Sequence, residues 1–514
     1  KQALPLRGHE LKLGKAIKFM NAEARPLARA GVKLLEQEVM GFCIDSRGVK
    51  KGELFFAFSP VDYAKHGINN SDSYQDAHQY IPQALDNGAL AAVARESSVQ
   101  GNDAFNNYRE RLLLVDDVIE GLQQIARGTL EEWGKEIIGI TGSAGKTTAK
   151  DLTAHLMSAT GRRVLKSRKN FNNELGLPLS VLQMETAGSS VSDFDIAVLE
   201  MGMSSQFEIS RLSRIAPPDI AVELNVLPVH LEYMGNIANI AAAKAQLIEG
   251  LKPGGTIVLN ADDDLVLAMR NLQSGRVITF GIERPADITA REIDTSRLGQ
   301  IRFRLITPQG EAPALLRLPG KHNLVNALAA SAVANCFDMT AEQIAVALEK
   351  AQPTEMRGAI FHFEIGEGKE FMVIDDSYNS NPRSLLSMAR TIVNGGSSDQ
   401  RKFVIAGEML ELGEKSDQLH REAGLNLAQM GIDLLWGVRG LGSEFVKGAR
   451  AGGMKNGDAR FMTDSETTAD ALVGEVQAGD LVLIKGSRGV RMERIVAALR
   501  QHFRLKSEEA EKMN

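Results

Sequence analysis

Between Gly142 and Thr148 the chain reads Gly-Ser-Ala-Gly-Lys-Thr-Thr, directly after the apolar run Ile137-Ile138-Gly139-Ile140-Thr141. Behind it, Leu152, Leu156 and Met157 recur at helical spacing. A buried strand, a glycine turn and a helix start in that order build an anion cradle, because free backbone N–H groups and the positive helix end meet at one point. In such a cradle Gly142, Ser143, Ala144, Gly145 and Thr148 line a polyphosphate, Lys146 neutralises terminal phosphate charge, and the Thr147 hydroxyl reaches a Mg²⁺ ion. The spacing misses the strict phosphate-loop pattern by one place, since Ile140 stands where its first glycine belongs and Gly139 comes one residue early. A plain strand-to-helix turn is the competing reading.

In an open parallel sheet ligands meet the carboxyl ends of the strands. Glu200 follows the apolar run Ile196 to Leu199, and His230 follows the strand expected from Asp219 to Leu227. With Thr147 they would supply a hydroxyl, a carboxylate and an imidazole to one or two Mg²⁺ ions, imidazole being the unusual member of that set. Taken singly, Glu200 also reads as a solvated strand-end carboxylate and His230 as a satisfied loop histidine. Lys244 lies on a stripe with Ile237, Ile240, Leu247, Ile248 and Leu251, in the middle of an apolar helix face. An unpaired ammonium there costs on the order of several kcal/mol. Lys244 must therefore snorkel, meet an acid or lose its proton, and a neutral amine can add CO₂ to form a carbamate that ligates metal as a carboxylate does. From the residue alone, snorkelling is preferred.

Further along, Asp375-Asp376-Ser377-Tyr378-Asn379-Ser380-Asn381-Pro382 and Lys485-Gly486-Ser487-Arg488-Gly489 each follow an apolar run. The first makes a polar, ligand-facing turn, and the second offers two cations to a carboxylate or phosphate. Both also read as turns and nothing more. The cluster from Asn170 to Glu174 can cap a helix.

The elements that must position these groups alternate. At 514 residues the chain needs about two to four domains. A net charge of -6 argues against a nucleic-acid partner. Two distant cysteines, Cys43 and Cys336, fit a reducing cytoplasm, and no apolar run approaches a membrane span or a signal peptide. Residues 1–115 read as a small α/β domain with a surface loop from Val61 to Gln75. A helix over Val118 to Trp133 leads into the phosphate loop. Strands are expected at Phe194 to Leu199, Asp219 to Val226 and Gly255 to Leu259, with helices near 205–214 and 237–251, which implies a parallel sheet covered on both faces. The segment 284–318 reads as an antiparallel appendage, followed by a helix from Asn323 to Phe337. After Pro353 and Arg357-Gly358 come strands at Phe371 to Ile374, Lys402 to Ala406, Leu434 to Val438 and Asp480 to Ile484, a second doubly wound unit.

Taken together, Thr141 to Thr147, Asn172-Asn173 with Gly176 and Pro178, Leu199-Glu200-Met201-Gly202, His230-Leu231-Glu232, Ala243-Lys244-Ala245, His322-Asn323 with Asn326, Met356-Arg357-Gly358, Asp375 to Pro382 and Lys485 to Arg488 resemble the Mur ligases, in that family's order. The resemblance implies three α/β domains: residues 1–115 for a UDP-sugar nucleotide, 116–352 as a phosphate-loop ATPase with a parallel sheet, and 353–514 as a Rossmann-like unit. It implies a cytoplasmic, monomeric, ATP- and Mg²⁺-dependent amide ligase that adds D-alanyl-D-alanine to UDP-N-acetylmuramoyl-tripeptide through an acyl phosphate. Lys146, Glu200, His230 and Lys244 then serve catalysis, with Thr147, Glu200, His230 and a carbamylated Lys244 as metal ligands. Asn323, Arg357 and Asp376 reach the nucleotide. Asp45-Ser46-Arg47 matches the uridine-end motif, Asn172, Asn173, Tyr378 and Asn379 meet substrate, and Lys485 and Arg488 face the peptide end. The departures are Asp76-Ala77-His78 for Asp-Gly-His after a longer loop from Ser59 to Gln75, Leu224 and Leu227 for Thr and Gly, and Ser380 for Ala. A related ligase adding a single amino acid is the nearest alternative. A nucleotide-binding regulator without ligase activity and a generic phosphate-loop kinase stand further off.

Overall fold

The structure, a computed structural model, describes residues 11–21, 32–68, 75–168, 171–229, 231–366 and 368–506. Three α/β domains are each built on one sheet. In the first, the strands Gly41–Cys43, Glu53–Phe56, Ala91–Arg95 and Leu112–Val115 pair in chain order and all in parallel. Part of the polar stretch expected as a surface loop is instead the helix Pro60–Lys65. A reciprocal capping box between Ser59 and Asp62 starts it, proline sits in its first turn, and the buried Asp62 carboxylate is paired with Arg95. Residues 69–74 of that stretch lie outside the described residues.

The central sheet has nine strands, in the order Gly310–Leu316, Ile301–Thr307, Ile288–Asp294, Arg276–Gly281, Thr256–Asn260, Ile220–Glu223, Ile137–Thr141, Ile196–Glu200 and Val164–Lys166. The seven from Ile288–Asp294 to Val164–Lys166 run parallel. Helices cover both faces, so strands such as Ile137–Thr141 and Ile196–Glu200 are buried at every residue and read as unbroken apolar runs. The antiparallel strands are present, but not as an appendage. Ile288–Asp294 pairs in parallel with Arg276–Gly281 and antiparallel with Ile301–Thr307, so the hairpins extend the same sheet. Their alternating burial shows one wet face, which is what gave that segment its different pattern. The helix Lys321–Cys336 packs against Lys146–Ala159, the helix behind the phosphate loop.

The third sheet runs Ala459–Met462, Leu434–Val438, Lys402–Gly407, Leu481–Lys485, Glu370–Asp376, Ala359–Glu364 and Arg504–Leu505, parallel through its first five strands and antiparallel at the last two. The first two domains share a core. Leu54, Phe56, Val93 and Leu113 of the first sheet and Ala197, Leu199 and Ala221 of the second meet around the helix Val118–Trp133. The third domain has separate cores and meets the second through polar contacts, among them Thr354 Oγ1 donating to Asp151 at 2.8 Å and His322 with Ser387 at 3.1 Å. Among the described residues no helix is long and apolar enough to cross a membrane.

Candidate functional site

The strand Ile137–Thr141 delivers the chain to Gly142, and the helix Lys146–Ala159 carries it away. Gly145 is required twice over: its φ of +85° lies in the left-handed region, and a Cβ there would sit 2.3 Å from Asn326 Oδ1. The loop is braced by the segment after the strand Ile220–Glu223. Ser143 N–H donates to the Asn225 carbonyl at 3.0 Å, and Ala144 exchanges two bonds with the Asn225 side chain at 2.9 and 3.0 Å. Ser143 Oγ donates to the Leu227 carbonyl at 3.2 Å and accepts from its N–H at 2.8 Å. Asn225 is a site residue that the sequence reading missed. Its one signal is an amide side chain at the end of an apolar strand. Lys146 is half-buried, curls over the loop to the Gly142 carbonyl at 2.7 Å, and is held below the ordinary lysine range by desolvation, against the pull of Glu200. Thr148 stands in the first turn of the helix.

In front of the loop, Glu200 ends its strand with only 2% exposure. One carboxylate oxygen accepts from Thr147 Oγ1 at 2.8 Å and the other from Asn172 Nδ2 at 2.7 Å, while Glu200 N–H donates to Ser167 Oγ at 2.9 Å. Asn173 Oδ1 accepts from Gly176 N–H at 2.8 Å and so caps the helix Gly176–Val181, leaving Asn172 to face the carboxylate. Thr147 and Glu200 are brought together as expected, and an oxygen-only donor pair beside a glycine cradle suits Mg²⁺. His230 lies outside the described residues. Among the described residues no group of three His, Cys, Asp or Glu side chains forms a metal cluster.

Lys244 does not snorkel. It is 2% exposed on the helix Ile237–Glu249, and burial, reinforced by Lys146, draws its pKa down to about 7, with Glu223 opposing. Glu223 is the second missed residue. It is fully buried at the end of Ile220–Glu223, opposite Thr141, neither carboxylate oxygen has a hydrogen-bond partner, and desolvation raises its pKa well above the usual carboxylate range. Buried Glu223 thus lies within electrostatic reach of both Lys244 and Lys146.

From the third domain, Arg357 stacks on the Tyr378 ring at 4.0 Å and Arg488 lies over the same ring at 5.7 Å. Tyr378 N–H donates to the Met356 carbonyl at 3.1 Å, and Met356 takes the left-handed φ of +60° that turns the chain toward the ring. Arg357 acts electrostatically on Lys146, and Glu200 on Tyr378, so the stack lies within electrostatic reach of the loop. Other expected ligand groups are engaged internally. Lys485 is buried, donating to Asp376 at 2.6 Å and to the Asn379 carbonyl at 2.8 Å. Asn379 Oδ1 accepts from Ser380 N–H at 2.8 Å, and the Asn323 amide donates to the Pro319 carbonyl at 2.7 Å. Asp45 and Arg47 pair with each other at 2.7 Å beyond the edge strand Gly41–Cys43, which holds the Asp45 carboxyl down at about 2, and Ser46 Oγ donates to Gln83 at 3.1 Å.

Residues 140–334 match the Mur ligase middle domain, and residues 363–488 match the Mur ligase glutamate ligase domain. The UDP-N-acetylmuramoyl-tripeptide–D-alanyl-D-alanine ligase of Bacillus subtilis (strain 168) is 34% identical over 469 residues, covering 90% of this chain and 94% of the relative. The ligase of that name from Escherichia coli (strain K12) is 30% identical over 432 residues, covering 83% and 89%. A crystal structure of MurF from Acinetobacter baumannii superposes with a TM-score of 0.80 at 27% identity, covering 97% of this chain and all of that one. MurF ligase from Thermotoga maritima in complex with ADP gives 0.74 at 27% identity, covering 90% and 98%.

Proposed function

The chain belongs to the Mur ligase family, and on that premise we propose that it is an ATP-dependent amide ligase joining D-alanyl-D-alanine to UDP-N-acetylmuramoyl-tripeptide. The observation that supports this reading is the chain of contacts from Thr147 through Glu200 to Asn172, which gathers a hydroxyl, a carboxylate suited to Mg²⁺ and an amide in front of one glycine loop. A related ligase for a single amino acid is not favoured, since the relatives are named for the dipeptide.

A carboxylate is a poor electrophile, so a leaving group must first be installed on it. One oxygen of the tripeptide's terminal carboxylate attacks the γ-phosphorus of ATP, the bond to the β–γ bridging oxygen breaks, and ADP leaves. The dipeptide amine then attacks the acyl carbon, phosphate departs, and the amine's proton is lost to solvent. Lys146 and the loop amides that Asn225 does not engage, with Ser143 and Ala144 braced behind them, hold the phosphates and meet the charge that spreads over the transferring group. Thr147 and Glu200 would hold a Mg²⁺ ion, which would supply further positive charge there, and His230 with a carbamylated Lys244 would hold a second. Asn172 and Asn173 orient the carboxylate. Arg357, Tyr378 and Arg488 close on the cradle from the third domain, and Asn323 and Asp376 bound the nucleotide. Asp45, Ser46 and Arg47 serve the uridine end, Asn379 and Lys485 shape the peptide end.

Residues 1–115, 116–352 and 353–514 are the corresponding substrate, ATP and peptide domains. The polar seam between the last two suits closure on substrate. All these groups come from one chain, so a monomer suffices, and dependence on ATP places the step in the cytoplasm. The test is phosphate release from ATP with UDP-tripeptide and dipeptide supplied singly and together. Sustained release is expected with both. Turnover that needs a single amino acid and ignores the dipeptide, or none with both precursors, refutes the reading.

A further inference from the structure

Ahead of the site, in the first domain, His66 closes the helix Pro60–Lys65. Its ring lies between two carboxylates from different parts of the chain. Nδ1 is 2.6 Å from Glu174, and Nε2 is 3.2 Å from both oxygens of Asp117. A carboxylate only accepts, so a ring with an acid at each nitrogen donates from both and carries a charge. Both acids are buried and each has a second cation: Lys65 is 3.1 Å from Asp117, and Arg211, on the helix Glu208–Ile215, pairs with Glu174. Arg211 also donates to the His66 carbonyl at 3.3 Å, and Gln123 Nε2 to the Glu174 carbonyl at 3.1 Å. The two acids hold the imidazole pKa up at about 9 against the cost of burial.

Asp117 is the N-cap of the long helix Val118–Trp133 that both domains share, a rigid support. Glu174 is different, because it directly follows Asn172 and Asn173. From His66 the contacts run to Glu174, along two residues of chain to Asn172, and from there to Glu200 and Thr147 at 2.7 and 2.8 Å. The ring therefore fixes a substrate-facing turn of the second domain to a helix of the first.

We propose that His66 is a positioning residue: its ring, gripped by Asp117 and Glu174, locks the turn from Asn172 to Glu174 in the place where it presents the nucleotide-sugar substrate's carboxylate to the phosphate cradle. This rests on the ligase reading. No contact of His66 itself with substrate is involved.

The test compares wild-type enzyme with His66→Gln, His66→Arg and Glu174→Gln in the two-precursor phosphate-release assay, with amide hydrogen exchange over residues 171–177. His66→Gln keeps the polar size but loses the charge and one donor. The expected result is a KM for the UDP-tripeptide raised about tenfold, kcat reduced less than about threefold, and KM for ATP and for the dipeptide within about twofold. Exchange over 171–177 is faster, Glu174→Gln shows the same pattern, and His66→Arg, whose fork can meet both acids, recovers most of the loss. An unchanged KM for the UDP-tripeptide in His66→Gln overturns the proposal. So does an equal fall in kcat and in affinity for all three substrates that His66→Arg does not relieve, the mark of a merely structural role. Wild-type enzyme without turnover refutes the ligase reading instead, a result distinct from active wild type with an indifferent His66.

Discussion

Replacing Lys244 with methionine is expected to make the protein more stable and inactive. Lys244 is 2% exposed and titrates at about 7 instead of 10.5, so holding its charge in the fold costs about 5 kcal/mol, taking about 1.4 kcal/mol for each tenfold in affinity for the proton. Methionine fills similar volume without charge. Part of the gain is lost because Glu223 keeps its buried carboxyl group without the neighbouring cation, and about 2 kcal/mol is the expected net stabilisation near neutral pH. The sign with pH follows from linkage. The folded-state value is depressed, so below about 7 both folded and unfolded chains hold the proton and the penalty is full, whereas toward 10.5 the unfolded chain loses it too and the penalty fades. Calorimetric melting of both proteins in CO₂-free buffer checks this, with a higher melting temperature for Lys244→Met at pH 6.5 and a narrower gap at pH 10. Added bicarbonate should raise the melting temperature of wild type and leave the variant unmoved, because the proposed carbamate at Lys244 would bind CO₂ to the folded state alone. A variant less stable than wild type at pH 6.5, or a gap that ignores pH, refutes the desolvation argument. Full ligase activity in the variant refutes the carbamate.

Gly145→Ala is expected to abolish ATP binding measured by calorimetric titration, since alanine at a φ of +85° costs on the order of 1 kcal/mol and its methyl group collides with Asn326. Wild-type affinity would show that the loop does not hold the phosphates. Glu200→Gln keeps the hydrogen bond to Thr147 but removes the charge of the proposed metal ligand, so kcat should fall about 10²-fold or more and the Mg²⁺ concentration for half-activity should rise. An unchanged Mg²⁺ dependence would remove Glu200 from the metal site. Asp376→Asn leaves the buried Lys485 ammonium without its carboxylate at 2.6 Å and should destabilise the third domain by about 3 kcal/mol in denaturant unfolding. A loss below about 1 kcal/mol would show that the pair is solvated.

What could be read in advance follows the physics of burial. Strands such as Leu434–Val438 are covered on both faces, so they stand out as short apolar runs, and the helix Val118–Trp133 carries its own signals in the Asp117 cap and the left-handed Gly134. The helix Pro60–Lys65 was hidden because its start depends on two residues, Ser59 and Asp62, within a run whose composition suggests a loop. The continuity of the hairpins with the central sheet depends on pairing between Arg276–Gly281 and Ile288–Asp294, which no local pattern encodes. The phosphate loop, Thr147, Glu200 and Lys244 were legible because polar groups there interrupt apolar patterns.

Glu223 interrupts such a run too, but its partner does not show in the local pattern. A strand expected from Asp219 to Val226 in a sheet covered on both faces buries Glu223, but no local pattern shows that the helix carrying Lys244 packs against it. With helix Ile237–Glu249 packed on the strand, buried Glu223 and buried Lys244 come within electrostatic reach, and each makes the other's burial less costly. Asn225, two residues on and past the end of the strand, clamps Ala144 across 81 positions of sequence. One strand end therefore supplies both the brace of the phosphate loop and the acid behind it. The loop's amides and the lysine's charge are set together, so a substitution at Glu223 or Asn225 should disturb phosphate binding without touching phosphate.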